Sequence, residues 1–265
     1  MAPDFELRGR VAAITGASAG IGEATARRLA ARGMSLVLGA RRQERLAALA
    51  AELSARHGVR ALAAPLDVTD PASAQRFAEQ AEAFAGAAGP YLLVNSAGLA
   101  RGVARIPKAT AQDERDWETM FSVNVLGLLR LTRLFVPGMA ARDAGHVINL
   151  GSLAGLETYE GGSVYCATKA SVRIITKALR YELLGSKVRV TCINPGMAET
   201  EFSVVRLGDQ AKADAVYAGM TPMTADDIAA SIEWVAALPA HVNIEELDSQ
   251  PVDQASAQRV HRHPR

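Results

Sequence analysis

Short aliphatic segments alternate with longer amphipathic segments along most of this chain. Val11–Thr15 and Leu36–Leu38 are apolar and have the length of buried strands, and each precedes a segment with helical spacing. Leu46, Leu49 and Leu53, for example, give the second of these segments one apolar face. The alternation predicts right-handed βαβ units, and therefore a parallel sheet that is covered by helices on both faces.

The full pattern predicts one doubly wound α/β domain over residues 1–265, because no internal repeat or flexible linker interrupts it. Residues 199–220 lack a clean period and are predicted to form a mobile helical segment, and residues from about 249 to 265 a C-terminal tail. Thr224 is the predicted N-cap of the last helix. The predicted strands are Val11–Thr15, Leu36–Leu38, Val59–Leu66, Tyr91–Asn95, His146–Leu150, Val188–Ile193 and Val242–Leu247. The predicted helices are Gly22–Arg32, Arg42–His57, Thr69–Ala85, Trp117–Ala141, Val164–Leu184 and Ala225–Leu238.

Charge and cysteine content exclude several classes of protein. With 29 basic and 28 acidic residues the net charge is +1, which gives no electrostatic reason to expect nucleic acid or an anionic membrane as a partner. Cys166 and Cys192 are too few for a disulfide framework or a zinc cluster, which predicts a cytoplasmic protein without a metal site. No apolar run reaches the length of a membrane span, and Met1–Arg10 lacks the apolar core of a signal peptide.

A glycine-rich turn follows the first predicted strand. Gly16 permits the tight turn, Gly20 lets backbone approach a pyrophosphate, and Gly22 allows the next helix to pack closely on the strand. The amides of that helix, beginning near Ser18 and Ile21, would bind phosphate at a positive dipole end. A glycine pattern alone can be an ordinary turn, but its place between a strand and a helix favours dinucleotide binding.

The end of the second predicted strand indicates which dinucleotide is bound. An acidic residue there would accept from a ribose 2′-hydroxyl, but the sequence has Arg41 and Arg42, whose guanidinium groups can bind a 2′-phosphate. NADP(H) is therefore predicted over NAD(H), the alternative being that both arginines only begin a solvated helix face. After the third strand come Asp67 and Val68; Asp67 could accept from the adenine amino group or be an ordinary helix cap.

Three polar residues with the chemistry of a proton donor follow the fifth strand. Ser152 comes directly after it, and Tyr165 and Lys169 are four residues apart, so they share one face of a predicted helix. An ammonium group beside a phenol lowers the pKa of the phenol. Such a tyrosine could donate a proton to a carbonyl oxygen during hydride attack, while Ser152 holds the same oxygen by a hydrogen bond. A Tyr-x-x-x-Lys pair alone is common by chance, however.

Together, the glycine turn and these residues resemble the short-chain dehydrogenase/reductase family over about residues 8–250. The further matching positions are Asn95, Ala97, Gly98, Asn124, Pro195, Gly196 and Thr200. The resemblance implies a seven-stranded Rossmann-type sheet, an NADP(H) cofactor contacted by these motifs, and hydride transfer to or from an alcohol or carbonyl. It also implies that Tyr165 is the general acid/base, that Ser152 orients the substrate and that Lys169 binds the nicotinamide ribose. By the same matching, Asn124 holds a water in a proton relay and Thr200 contacts the carboxamide.

One position departs from the family pattern, and other segments narrow the resemblance. Ser96 stands where the family usually has a second asparagine. The segments around Trp117, after Thr200 and around Pro239 are similar to NADP-dependent 3-hydroxy acid dehydrogenases, which act on serine or allo-threonine. That likeness implies a small acidic substrate, a lid at residues 199–220 and a homotetramer, and Arg206 in the lid is a candidate partner for the substrate's anionic group. The alternatives are a reductase of a larger ketone or aldehyde and a non-catalytic NADP-binding sensor.

Overall fold

A computed structural model describes residues 7–264, so Met1–Glu6 of the segment examined for a signal peptide and Arg265 of the tail lie outside the described residues. Seven parallel strands form one sheet in the order β3-β2-β1-β4-β5-β6-β9. The strands are β1 (Val11–Thr15), β2 (Ser35–Ala40), β3 (Ala61–Pro65), β4 (Leu92–Asn95), β5 (Gly145–Leu150), β6 (Val188–Pro195) and β9 (Glu246–Ser249). The strand order reverses between β1 and β4, where a crevice opens at the carboxyl ends.

Helices cover both faces of the sheet, which confirms the predicted doubly wound, Rossmann-type fold. Alternate residues of β1 show the two faces: Ala12 and Ile14 belong to one apolar cluster, and Val11 and Ala13 to the other. The helices are α1 (Gly20–Ala31), α2 (Gln43–His57), α3 (Pro71–Ala85), α4 (Ala111–Phe121), α5 (Leu128–Ala141), α6 (Ser163–Glu182), α7 (Glu201–Leu207), α8 (Gln210–Tyr217) and α9 (Ala225–Ala236). The core is almost wholly aliphatic, as alanine-rich helices on a Val/Leu/Ile sheet require.

The long helix before β5 begins earlier than its apolar pattern predicts. Thr110 and Asp113 form a capping box, so α4 starts at Ala111 and not at Trp117, because capping satisfies the first amides of a polar turn. A π-helical turn over Ser122–Gly127 then joins α4 to α5. By length and composition residues 111–141 could cross a membrane, but 44% of the most apolar stretch is buried inside the protein, as in a core helix.

The predicted last strand starts four residues and ends two residues before the observed one. Val242–Leu247 is the more apolar segment, but the ladder with β6 begins only where Cys192 faces Glu246. The preceding residues reach β6 in another way: Asn243 Oδ1 accepts from the backbone N–H of Val190 at 2.7 Å. Because the Asn243 side chain accepts a hydrogen bond from β6, the backbone pairing of β9 starts further along the chain. The apolar content of the segment does not reveal such a side-chain contact.

The segment between β6 and α9 is helical, as predicted. It contains α7 and α8, and the two-residue strands β7 (Ala198–Glu199) and β8 (Met223–Thr224) pair at its base. Tyr217 ties it together, because its hydroxyl bonds Ser203 Oγ at 2.6 Å and donates to the carbonyl oxygen of Ala198 at 2.8 Å. We call residues 199–220 the lid. Thr224 caps α9 through Asp227, as expected.

Candidate active site

A cavity of about 730 Å³ lies at the carboxyl ends of the strands, over the crevice between β1 and β4. Its wall contains most of the residues that the sequence singled out. Those lining it are Gly16, Ser18, Gly20, Ile21, Arg41, Arg42, Asp67, Val68, Ala97, Gly98, Ser152, Tyr165, Lys169, Pro195, Gly196, Thr200 and Arg206. The volume is within the range of small-molecule and cofactor sites.

The turn after β1 has the geometry of a phosphate cradle. Gly16 has φ +68°, and a Cβ there would lie 3.0 Å from the backbone of Ala97. A Cβ at Gly22 would lie 2.5 Å from the carbonyl oxygen of Gly16, so the close packing of α1 on the turn requires glycine. Ala19, at the N-cap of α1, offers no side-chain cap. No side chain therefore caps the first amides of α1, and the residues of this first turn line the cavity. Uncapped amides at a helix N-terminus fit a dinucleotide pyrophosphate.

Two arginines from the end of β2, Arg41 and Arg42, line the cavity beside the glycine turn. Arg42 Nε donates to Ser18 Oγ at 3.1 Å, so Arg42 is turned back over the glycine turn and does not only begin a solvated helix face. Hydrogen bonds from Thr69 lower the pKa of Asp67, and the charge of Arg41 lowers it further. A cationic group beside the phosphate cradle fits a dinucleotide that carries an extra phosphate.

Asp67 is not a helix cap. Its Oδ1 accepts from the N–H and the hydroxyl of Thr69 at 2.9 and 2.7 Å, whereas Asp70 caps α3 by accepting from Ala72 N–H. The helix-cap alternative for Asp67 is therefore wrong, and its carboxylate stands in the cavity wall at the end of β3.

Ser152, Tyr165 and Lys169 converge where β5 meets α6. Ser152 opens the turn after β5, and its Oγ accepts from the N–H of Ala154 at 3.1 Å. Tyr165 and Lys169 share a face of α6, with Lys169 Nζ 6.0 Å from the ring centroid of Tyr165. Gly155 allows the turn after β5 to pack closely on α6, since a Cβ there would lie 2.7 Å from the backbone of Lys169.

Burial dominates the electrostatics of this cluster. It raises the pKa of Tyr165 well above its ordinary value, and the Ser152 hydrogen bond and the charge of Arg206 act in the opposite direction. Burial also lowers the pKa of Lys169 to about 8, and its ammonium group donates to the carbonyl oxygen of Leu150 at 2.7 Å. In this structure the charge of Arg206, a lid residue, lowers the pKa of Tyr165, and the effect of Lys169 on it stays a prediction.

A family model described as short chain dehydrogenase matches residues 10–210, which is most of the chain. The chain belongs to the short chain dehydrogenase family. It is therefore an oxidoreductase, in agreement with the prediction from its motifs.

The relatives of this dehydrogenase match nearly its whole length. Serine 3-dehydrogenase of Rhizobium radiobacter is 45% identical over 250 residues, which cover 92% of this chain and 94% of that protein. The NADP-dependent 3-hydroxy acid dehydrogenase of Salmonella typhi is 46% identical over 246 residues, covering 92% and 96%. Among solved structures, the closed form of a serine dehydrogenase complexed with NADP+ has a TM-score of 0.84 and 43% identity, and the match covers 96% of this chain and 100% of that one.

Three predicted site residues of the dehydrogenase lie behind the cavity wall. Gly22 packs beneath the turn, as described above. The side chain of Asn95, predicted to contact the cofactor, donates to Asn149 Oδ1 at 2.8 Å and to Thr132 Oγ1 at 3.3 Å. This buried side-chain network supports the β4–β5 edge, and the contact of Asn95 with the cofactor stays a prediction. The neighbouring Ser96 is in the wall.

Asn124 occupies the π-helical turn and supports the site from behind. Its Nδ2 donates to the carbonyl oxygen of Leu99 at 2.8 Å and to Thr168 Oγ1 at 3.1 Å, while its Oδ1 accepts from the N–H of Leu99 at 2.8 Å. A Cβ at Gly98 would lie 3.4 Å from Asn124 Oδ1 and 3.5 Å from Lys169 Nζ. Asn124 therefore lies near Lys169, and its amide is held in place by the loop after β4.

Several residues of the cavity wall were not predicted from the sequence. Phe202 of the lid packs on Tyr165, with ring centroids 5.6 Å apart. Tyr159 lies below Arg206, whose guanidinium carbon is 5.1 Å from the centroid of its ring. Gln254 of the tail accepts from the N–H of Met197 at 2.7 Å, so the tail reaches the cavity of its own chain. No local pattern marks these residues, since Phe202 and Gln254 come from distant segments and Tyr159 lies in the irregular loop between β5 and α6.

Lys169 provides a prediction about stability. The pKa of Lys169 is about 8 in the folded protein, against about 10.4 in an unfolded chain. Below pH 8 the ammonium group is charged in both states, so the whole free-energy cost of burying it lowers the stability of the folded protein. Between these values the unfolded state holds more protons, so stability rises with pH. Lys169→Met should therefore increase the free energy of unfolding at pH 7 by about 2 kcal/mol, after allowing for the lost bond to Leu150.

This gain should shrink towards pH 9.5, as urea unfolding at the two pH values will measure. Lys177→Met is the matched control, because Lys177 is on the same helix with a side chain 46% exposed. A gain for Lys169→Met that does not change with pH would contradict the assignment of a buried, charged lysine.

Proposed function

We propose that this dehydrogenase transfers a hydride between NADP(H) and a small 3-hydroxy acid or the corresponding oxo compound. The convergence of Ser152, Tyr165 and Lys169 on one cavity that also holds the glycine turn and the arginine pair carries the proposal. The named activities of the relatives support it, since one is a serine 3-dehydrogenase and another an NADP-dependent 3-hydroxy acid dehydrogenase. A non-catalytic sensor would not need the tyrosine and the lysine.

In the proposed mechanism Tyr165 donates a proton to the reacting oxygen or accepts one from it, depending on the direction of the reaction. NADPH, when bound, supplies the hydride for reduction, and NADP+ accepts it for oxidation. The Tyr165 hydroxyl then donates to the carbonyl oxygen in reduction and, as phenolate, removes the alcohol proton in oxidation. Ser152 holds the same oxygen by a hydrogen bond. Lys169 would bind the ribose and replace the proton of Tyr165, and Asn124 would complete the path to solvent.

The cofactor would occupy the wall from the glycine turn to β6. Its pyrophosphate would lie against Gly16, Ser18, Gly20 and Ile21, and its 2′-phosphate beside Arg41 and Arg42. Asp67 and Val68 would bind the adenine; Ala97, Gly98, Pro195, Gly196 and Thr200 would enclose the nicotinamide half. Thr200 caps α7 by accepting from Phe202 N–H at 3.2 Å, so its hydroxyl retains a hydrogen for the carboxamide oxygen.

Arg206 and Tyr159 are the proposed site for the acidic group of the substrate. Arg206 lies over the cavity, and its Nε donates to the carbonyl oxygen of Gly102 at 3.4 Å, leaving the two Nη groups for a carboxylate. The Tyr159 hydroxyl is buried without a hydrogen-bond partner in the described part of the chain. A buried hydroxyl of this kind is costly unless a ligand pairs with it.

Replacing Arg206 by Ala should raise KM for acidic substrates about tenfold or more, because a hydrogen bond to a charged group contributes about 1.5–3 kcal/mol. The KM for an uncharged aldehyde should change less than threefold, and steady-state kinetics with both kinds of substrate will measure the difference. Arg206→Lys should recover part of the loss. An equal rise of KM for charged and neutral substrates would mean that Arg206 supports the lid and does not bind the acidic group of the substrate.

A substrate panel tests the proposed activity directly. NADPH absorbance would be followed with small oxo acids, aldehydes and larger ketones, and NADP+ reduction with L-serine and other 3-hydroxy acids. We expect the highest kcat/KM for a substrate whose carboxylate is separated from the reacting carbon by one carbon, as in a 3-hydroxy acid or the corresponding oxo compound. Preference for bulky neutral ketones would favour the alternative reductase, and no turnover with any member would favour the sensor.

We further propose a cytoplasmic homotetramer. Exposed apolar side chains on α4, α5 and α6 support association, among them Phe121, Leu129 and Ile174, which is 60% exposed. Both cysteines are free and buried, as in a reducing compartment. Light scattering should give the mass of four chains, and the mass of one would refute the assembly.

A further inference from the structure

Glu201, the first residue of the lid helix α7, lies between two arginines of the α2 region. Its Oε2 is 2.8 Å from Arg42 Nη1, and its Oε1 is 2.8 Å from Arg45 Nη1. Hydrogen bonds from both arginines lower the pKa of Glu201, with Arg45 the stronger cause, so the carboxylate is charged at neutral pH. The lid thus places a negative charge in the part of the cavity wall where the extra phosphate of NADP(H) is proposed to bind.

This contact limits how Arg42 can receive a phosphate. A guanidinium binds an oxyanion through one of two forks, Nε with Nη2 or Nη1 with Nη2. Ser18 already accepts from Nε at 3.1 Å, and Glu201 already pairs with Nη1. Each fork therefore has one nitrogen engaged, and a phosphate that binds through either fork competes with Ser18 or Glu201 for that nitrogen.

We propose that Glu201 competes with the 2′-phosphate for Arg42 and so sets how strongly the dehydrogenase prefers NADP(H) to NAD(H). The inference rests on the proposed use of NADP(H). Of the two partners of Arg42, Glu201 is the one that yields, because a carboxylate and a phosphate repel each other, whereas the Ser18 hydroxyl can donate to a phosphate oxygen. A cofactor without the 2′-phosphate leaves the Arg42–Glu201 pair intact.

Arg45 makes this exchange possible without an unpaired charge. It holds the second oxygen of Glu201, so the carboxylate keeps a cationic partner when a phosphate takes Arg42. Removing Arg45 should leave Glu201 with Arg42 alone and strengthen the competition. Glu201 and Arg45 therefore affect NADPH binding with opposite signs, and Arg45 acts through Glu201.

Equilibrium binding of NADPH and NADH, measured by cofactor fluorescence, tests the proposal without relying on turnover. Glu201→Gln should lower the Kd for NADPH about twofold to fivefold, a modest gain because the Arg42–Glu201 pair is about half exposed and exposed ion pairs contribute little. The Kd for NADH should not change. Raising the ionic strength should reduce the gain, as for any exposed charge pair. Asp214→Asn, on lid helix α8, removes the same charge away from Arg42 and should change neither constant.

A double-mutant cycle separates Arg45 from a general effect of positive charge. Arg45→Gln should raise the Kd for NADPH in the wild-type background and have a much smaller effect when Glu201 is already Gln. An equal effect of Arg45→Gln in both backgrounds would contradict its action through Glu201. Weaker or unchanged NADPH binding by Glu201→Gln would overturn the competition itself. Failure of the proposed cofactor is a separate result: the wild-type protein would then bind NADH as tightly as NADPH.

Discussion

Replacing Tyr165 by Phe should reduce kcat by about 10²–10⁴ in both directions and leave the Kd for NADPH within threefold of its original value. General acid–base groups contribute rate factors of this size. Tyrosine and phenylalanine differ only in the hydroxyl group. The variant therefore keeps the packing of the ring on Phe202 and its place on α6. Steady-state kinetics and a fluorescence titration of the same preparation will measure the two effects.

Tyr181→Phe is the matched control for this substitution. It makes the same chemical change on the same helix, but its side chain is 71% exposed and lies far along α6 from the cavity. It should keep its full rate. If Tyr165→Phe retained more than about a tenth of kcat, the proton would have to come from another group, and the proposed role of Tyr165 would be wrong.

Replacing both Arg41 and Arg42 by Ala should raise the Kd for NADPH about 100-fold and the Kd for NADH less than threefold. Each hydrogen bond from a charged group contributes about 1.5–3 kcal/mol, and the loss of two to a phosphate is expected to cost at least two orders of magnitude. NADH lacks the phosphate, so it reports any general damage to the cavity. Titration of both cofactors measures the ratio.

Arg56→Ala serves as the control for net charge, since Arg56 is an exposed residue in the last turn of α2. Its removal should leave both constants unchanged. A parallel loss of NADPH and NADH binding in the Arg41/Arg42 variant would mean that these arginines support the fold of the β2–α2 connection, and the selectivity would have to come from elsewhere.

Much of the site could be predicted because its residues follow strands directly. The carboxyl ends of parallel strands meet at one edge, so the turn after Thr15, the arginines after Ala40 and the serine after Gly151 had to come together. The predicted strands β1, β5 and β6 were correct in place because aliphatic residues dominate β1 and recur along β5 and β6. The start of α4 and the position of β9 were missed, since a capping box and the Asn243 side chain determined them.

Local spacing also could not reveal the direction in which a side chain points. Asn95 ends β4 at the same edge of the sheet at which Ser152 follows β5, yet its side chain turns inward to Asn149 while Ser152 faces the cavity. The pKa of Tyr165 shows the same limit, because spacing indicated a nearby ammonium and burial proved to be the larger effect.

The amino-acid sequence was enough to predict the doubly wound fold, the family, the glycine cradle and the Tyr-x-x-x-Lys pair, because each is visible in periodicity or in motifs of a few positions. Three contacts became visible only in the folded chain: Tyr159 lies under Arg206, Gln254 reaches Met197, and Glu201 lies between Arg42 and Arg45. These contacts join segments that are 47 to 159 residues apart or that follow no repeating pattern. Their geometry arises only when the helices have packed on the sheet and the lid and the tail have folded over its edge.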